Sequence, residues 1–121
     1  MTNVEQGQPL FSAYCPVFQD AVELIGRRWT GAIVRALLTG SNRFGEILAR
    51  IPGLSDRLLS ERLRELESAG IVVRTVYPEV PVRIEYHLTE KGREIEAIVT
   101  AISAWAEKWG EHHDELIATG S

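Results

Sequence analysis

From Val17 onward the apolar residues fall in two rhythms, one helical and one alternating. Val17, Ala21, Leu24 and Ile25 recur at helical spacing, and Pro16 suits the first helical position, where its missing N–H costs nothing. Gly26 interrupts the pattern. A second helix over about 28–39 gathers Trp29, Ile33, Ala36 and Leu37 on one side and stops at Gly40. A third, over 43–50, runs out at Pro52-Gly53. A fourth opens on Ser55 as N-cap, carries Asp56 where the helix dipole favours an acid, and ends at Ala69 before Gly70. The rhythm then changes. Residues 71–77 are apolar at nearly every position, and 82–88 alternate Val82, Ile84, Tyr86 and Leu88 against Arg83, Glu85 and His87. Pro78 and Pro81 stiffen the loop between them. A last helix is predicted from Thr89, its N-cap, to about Ala118, which at ~1.5 Å per residue would exceed ~40 Å.

Helix, short turn, helix and β-hairpin is the order of a winged helix-turn-helix. The predicted fold class is therefore mainly α with a small β-hairpin (α+β). This architecture offers duplex DNA one helix for the major groove and one hairpin for the flank. Residues 1–14 read as a polar arm, and 15–121 as the winged domain. Within it, 55–69 is the recognition helix, 71–88 the wing and 89–118 a dimerisation helix. In that last helix Ile95, Ile98, Ile102, Trp105, Trp109 and Leu116 form a heptad-like seam. Ile98, Ile102, Trp105 and Trp109 are its expected interface core, since two tryptophans on one seam fit a buried contact. The plainer reading is a stripe packed on its own domain, but the predicted length argues against it. A two-fold pair would set two recognition helices about one DNA turn, ~34 Å, apart.

Length and composition support this picture without sharpening it. At 121 residues, 45% of them hydrophobic, the chain forms one domain that gains from a partner. It has no basic, apolar leader pattern and no apolar run near the ~18 residues that span a bilayer, so a cytoplasmic protein without a membrane partner is expected. The net charge of −4 weighs against nucleic acid, until it is located. Residues 41–88 carry seven basic and seven acidic side chains, whereas 89–121 carry three basic and seven acidic, so the deficit lies in the C-terminal segment. The reading module is neutral and can still present arginines on one face.

Stepping 100° per residue from Leu59 puts Leu63 and Leu66 on the same side of the fourth helix. Arg57, Ser60, Glu61, Arg64 and Ser68 fall on the other. Ser55, Arg57, Ser60 and Arg64 are thus the candidate donors to phosphates or to guanine O6 and N7. The same spacing also fits solvated i,i+4 pairs such as Arg57–Glu61, and periodicity alone does not choose. Glu61 can accept from cytosine N4 or repel phosphates. Arg83, just past the stiff loop, is the wing's candidate contact to a groove or phosphate. Arg43 stands where a helix N-terminus can receive a phosphate.

The chain resembles the HxlR family of bacterial and archaeal winged-helix transcription regulators, relatives of the MarR group. The resemblance covers roughly 15–110. It rests on Cys15-Pro16, Gly26-Arg27-Arg28-Trp29-Thr30, Arg43-Phe44-x-Glu46-Ile47 and Ile51-Pro52-Gly53-Leu54-Ser55. It continues through Leu63-Arg64-Glu65-Leu66-Glu67-x-x-Gly70, Pro81-Val82-Arg83-Ile84-Glu85-Tyr86-x-Leu88-Thr89 and Gly92-Arg93. It implies a homodimer, joined through N- and C-terminal helices, on a near-palindromic operator. It puts DNA contacts on Ser55, Arg57, Ser60 and Arg64 and a wing contact on Arg83. Arg27, Gly31 and Glu61 depart from the family's usual residues.

Cys15 is the single cysteine, which excludes an internal disulfide. A thiol beside the start of a helix is activated by the dipole, although a small buried hydrophobe is the plainer reading. The resemblance implies a sensor of oxidants or electrophiles there. His112, His113, Asp114 and Glu115 point ~100° apart in succession on a helix and cannot converge on one ion, so no metal is expected. No cofactor is expected either. Three functions compete: a DNA-binding regulator, most simply a repressor; a winged-helix protein–protein module; and an enzyme with Cys15 as nucleophile. The last lacks an evident base, a phosphate loop or a paired acid site.

Overall fold

A computed structural model describes residues 13–110. The order is α1 (Pro16–Ile25), α2 (Thr30–Leu38), α3 (Phe44–Arg50), α4 (Asp56–Ser68), β1 (Val72–Tyr77), β2 (Arg83–Leu88), α5 (Glu90–Arg93) and α6 (Ile95–Trp109). The two strands pair antiparallel, from Val72 opposite Leu88 at the base to Tyr77 opposite Arg83 at the tip. The winged helix-turn-helix order predicted from the sequence is the order found.

One core joins these elements. Ile33, Val34, Ala36 and Leu37 of α2 meet Ile47 of α3, Ile51 and Leu54 of the turn, and Leu59, Leu63 and Leu66 of α4. Ile71, Val72, Leu88 and Ile95 close it from the hairpin and α6. Leu59, Leu63 and Leu66 are all buried, as the 3.6-residue period requires. The turn between α3 and α4 needs Gly53 at φ +89°, a left-handed conformation that a side chain resists. Gly70, at φ +77°, ends α4 in the same way.

Two predicted helices are corrected. The second begins at Thr30, and Trp29 caps it with φ 78° instead of lying inside it. Among the described residues Trp29 is the one non-glycine with positive φ, and a bulky side chain adopts that region only under tertiary constraint. Here Arg62 Nε donates to the Arg28 carbonyl at 3.0 Å, and the Trp29 ring lies against Gly53. The C-terminal helix is also not one rod. Thr89 does cap it, accepting from Gly92 N–H at 3.1 Å, but the first turn is a separate α5. Glu94, with ψ −15°, tightens the backbone before α6 resumes. A Cβ at Gly92 would come within 2.2 Å of the Ile71 carbonyl, so this turn is pressed against the hairpin base. The 15 residues of α6 span only about 22 Å. Leu116, the segment to Ala118, the His112–Glu115 group and most of the 1–14 arm lie outside the described residues.

Two faces stay uncovered. On α1, whose start at Pro16 is as expected, no residue is buried, and Val17, Phe18 and Val22 face outward. On α6 only Ile95 is buried, and Ile98, Ile102, Trp105 and Trp109 are exposed. From Ile98 to Trp109 the stripe on α6 therefore does not pack on its own domain.

Candidate nucleic-acid interface

The face of α4 opposite its leucines carries Arg57 and Arg64, both exposed, with Ser60 half-buried between them. Ser55 holds the helix start: its Oγ accepts from Leu58 N–H at 3.1 Å, leaving the hydroxyl proton free to donate outward. Arg57 is 88% exposed and pairs with Glu61 at 3.3 Å, so the plain i,i+4 reading is realised. Such a surface pair is worth at most about 1 kcal/mol, and a phosphate or guanine can displace it.

Arg62 belongs to this helix but not to its outer face. It is 7% exposed, lies among the leucines, and donates to Glu65 Oε2 at 3.2 Å as well as to Arg28 O. Arg27 takes the other Glu65 oxygen at 3.2 Å. The recognition helix is thus tied to the joint between α1 and α2. Sequence reasoning missed Arg62, although its position beside Leu59 and Leu63 on the helical wheel was the available signal.

Arg43 caps α3 and is exposed, but the amides at this end are partly taken. Glu46 Oε1 accepts from the N–H groups of Asn42 at 3.1 Å and Arg43 at 3.2 Å. Arg43 offers an anion its exposed guanidinium.

The wing arginine stands at the tip of the hairpin, and its guanidinium is engaged there. Arg83, Glu85 and His87 share one face of β2, as a strand's two-residue period requires, and are linked along it. Arg83 Nε and Nη2 meet the two Glu79 oxygens at 3.2 and 2.8 Å, and Nη1 donates to Glu85. His87 Nε2 lies 2.8 Å from the other Glu85 oxygen. Across the pair, the Tyr77 ring stacks under the guanidinium at 3.8 Å from its centroid. The hydrogen bond from Arg83 holds Glu79 below the ordinary carboxylate range, and His87 and then Arg83 do the same for Glu85, against the opposing effect of burial. Arg83 is held above the usual guanidinium value, first by Glu79. Sequence reasoning missed Glu79 and Tyr77, which meet Arg83 only once the loop has turned.

Cys15 is exposed with a free thiol and caps α1 in extended conformation. Among the described residues no group of three or more His, Cys, Asp or Glu side chains can hold a metal ion. No described helix is long and apolar enough to cross a membrane.

A tri-helical core, a capped helix with an arginine-bearing outer face and a flanking two-stranded wing together define a winged helix-turn-helix protein. Residues 24–114 match the family described as HxlR-like helix-turn-helix. The chain belongs to the HxlR family of helix-turn-helix transcriptional regulators, a DNA-binding and non-enzymatic class. It is 54% identical over 98 residues to the uncharacterized HTH-type transcriptional regulator YvaP of Bacillus subtilis (strain 168), spanning 81% of this chain and 91% of YvaP. The reduced form of the transcriptional regulator YodB from B. subtilis superposes with a TM-score of 0.72 at 45% identity, over 81% of this chain and 96% of YodB. The redox regulator HypR in its reduced form gives 0.75 at 38% identity, over 84% and 99%. YodB has also been solved after diamide treatment and HypR in an oxidized form.

Proposed function

We propose that this protein is a homodimeric repressor that binds a near-palindromic operator and responds to oxidants or electrophiles through Cys15, in the cytoplasm of a bacterium or archaeon. In this reading residues 15–121 act as one regulator. The 55–69 segment enters the major groove with Ser55, Arg57, Ser60 and Arg64, and the 71–88 wing brings Arg83 to the flank. Arg43 meets the backbone, and the 89–118 segment pairs two subunits through Ile98, Ile102, Trp105 and Trp109. The observation that carries the DNA contact is the outer face of α4, with two exposed arginines directly opposite three buried leucines. The uncovered apolar faces of α1 and α6 support pairing. An exposed thiol on α1, and redox regulators among the similar structures, support the sensing role.

The test is fluorescence anisotropy with a labelled duplex from upstream of the protein's own gene, against a scrambled duplex, over a salt series. Tight binding to the first that weakens steeply with salt is expected. Arg57→Glu and Arg64→Glu should each weaken it by at least about tenfold while the circular dichroism spectrum is unchanged. Full binding by both variants would remove α4 from the interface.

A further inference from the structure

All three guanidinium nitrogens of Arg83 already donate to carboxylates, two to Glu79 and one to Glu85. With two acids around one arginine, the wing tip carries one more negative than positive charge among these three residues. In this state the Nε/Nη2 edge of the guanidinium is taken by Glu79. A phosphate offers a guanidinium the same paired oxygens that a carboxylate does, so the two compete for one fork.

The two acids are not equally able to leave. Glu85 is 15% exposed and is held from its other side by His87, whereas the Glu79 side chain is 52% exposed and sits on the loop. The charge of Arg43, the residue given above to the DNA backbone, also favours the ionised form of Glu79.

We propose that Glu79 occupies the site on Arg83 that a DNA phosphate would take, and that the wing reaches the duplex only when the phosphate displaces it. The inference rests on the reading of Arg83 as a wing contact. Glu85 and the Tyr77 ring keep the guanidinium in place during the exchange, so Glu79 alone is lost. Glu79 thereby suppresses sequence-independent attraction, which the phosphates of any duplex supply equally.

Because the competed group is a phosphate, a short labelled duplex of mixed sequence is a sufficient probe. Anisotropy titrations over a salt series would compare the full chain with Glu79→Gln, Arg83→Ala and the double variant. Glu79→Gln should tighten binding on the order of fivefold at low salt and steepen the log–log salt slope by about one charge. Arg83→Ala should weaken binding, and in that background Glu79→Gln should change affinity less than about twofold. Equal gains in both backgrounds would mean that Glu79 acts only as bulk charge, and would overturn the proposal. So would weaker binding by Glu79→Gln, which would make it an orienting residue. If Arg83→Ala weakens binding but Glu79→Gln does nothing, the competition fails and the wing contact stands. If Arg83→Ala changes neither affinity nor slope, both fail together.

Discussion

Arg62 and Cys15 occupy opposite extremes of environment, and each controls something different. Arg62 brings a full charge into the leucine face of α4, which is tolerated only because its donors are met by Arg28 O and Glu65. Its alkyl stem also packs there. Arg62→Ala should lower unfolding free energy in urea by about 2 kcal/mol, and Arg62→Lys should recover little of it, because an ammonium lacks the planar fork. An unchanged midpoint in the alanine variant would show that the tie contributes nothing. Cys15 lies on the surface and packs into no core, so its replacement should leave folding and DNA affinity alone. Diamide should reduce DNA binding by the wild type, and Cys15→Ser should bind normally and no longer respond. A serine variant as sensitive as the wild type would end the sensor assignment.

Among the elements, the wing has a pH signature of its own. Glu79 and Glu85 have folded-state values below their ordinary ones, so their stabilising effect is complete above the usual carboxylate pKa and is lost as pH falls through the lowered values. Hydrogen exchange of the hairpin amides, once corrected for intrinsic rates, should therefore not accelerate from neutral pH down to about 4.5. It should accelerate below that, and acceleration already at pH 6 would contradict the assignment. The wing also marks where the sequence was and was not readable. The alternation of 82–88 correctly put Arg83, Glu85 and His87 on one face, but the partner that matters, Glu79, arrives across a loop with no periodicity. The helices divide in the same way. Leu59, Leu63 and Leu66 announced the buried side of α4, and Ser55 and Pro16 announced helix starts, because those signals are local. Trp29 was read as helical because its spacing from Ile33 fits. Its left-handed backbone is set by Gly53 and by Arg62, more than 20 residues away in the chain. The predicted rod from Thr89 survived the tightening at Glu94 on paper because one residue with ψ −15° leaves the side-chain rhythm intact.

For the whole molecule, the apolar surface of α1 and α6 is the feature behind the proposed pairing of subunits. A monomer would leave Phe18, Ile102, Trp105 and Trp109 in water, each more than half exposed. With subunits paired as proposed, replacing Ile102 with Asp should give a monomer in sedimentation equilibrium and weaken binding to a symmetric site far more than to a half-site. A dimer that persists would move the interface elsewhere. The same surface has an optical consequence. The chain has three tryptophans, and Trp105 and Trp109, at 68% and 62% exposure, account for the two facing solvent on the seam. Indole emission shifts to the blue as water is excluded, so the colour of the protein's own fluorescence becomes a label-free gauge of self-association. Dilution should redden it in step with the loss of the proposed dimer.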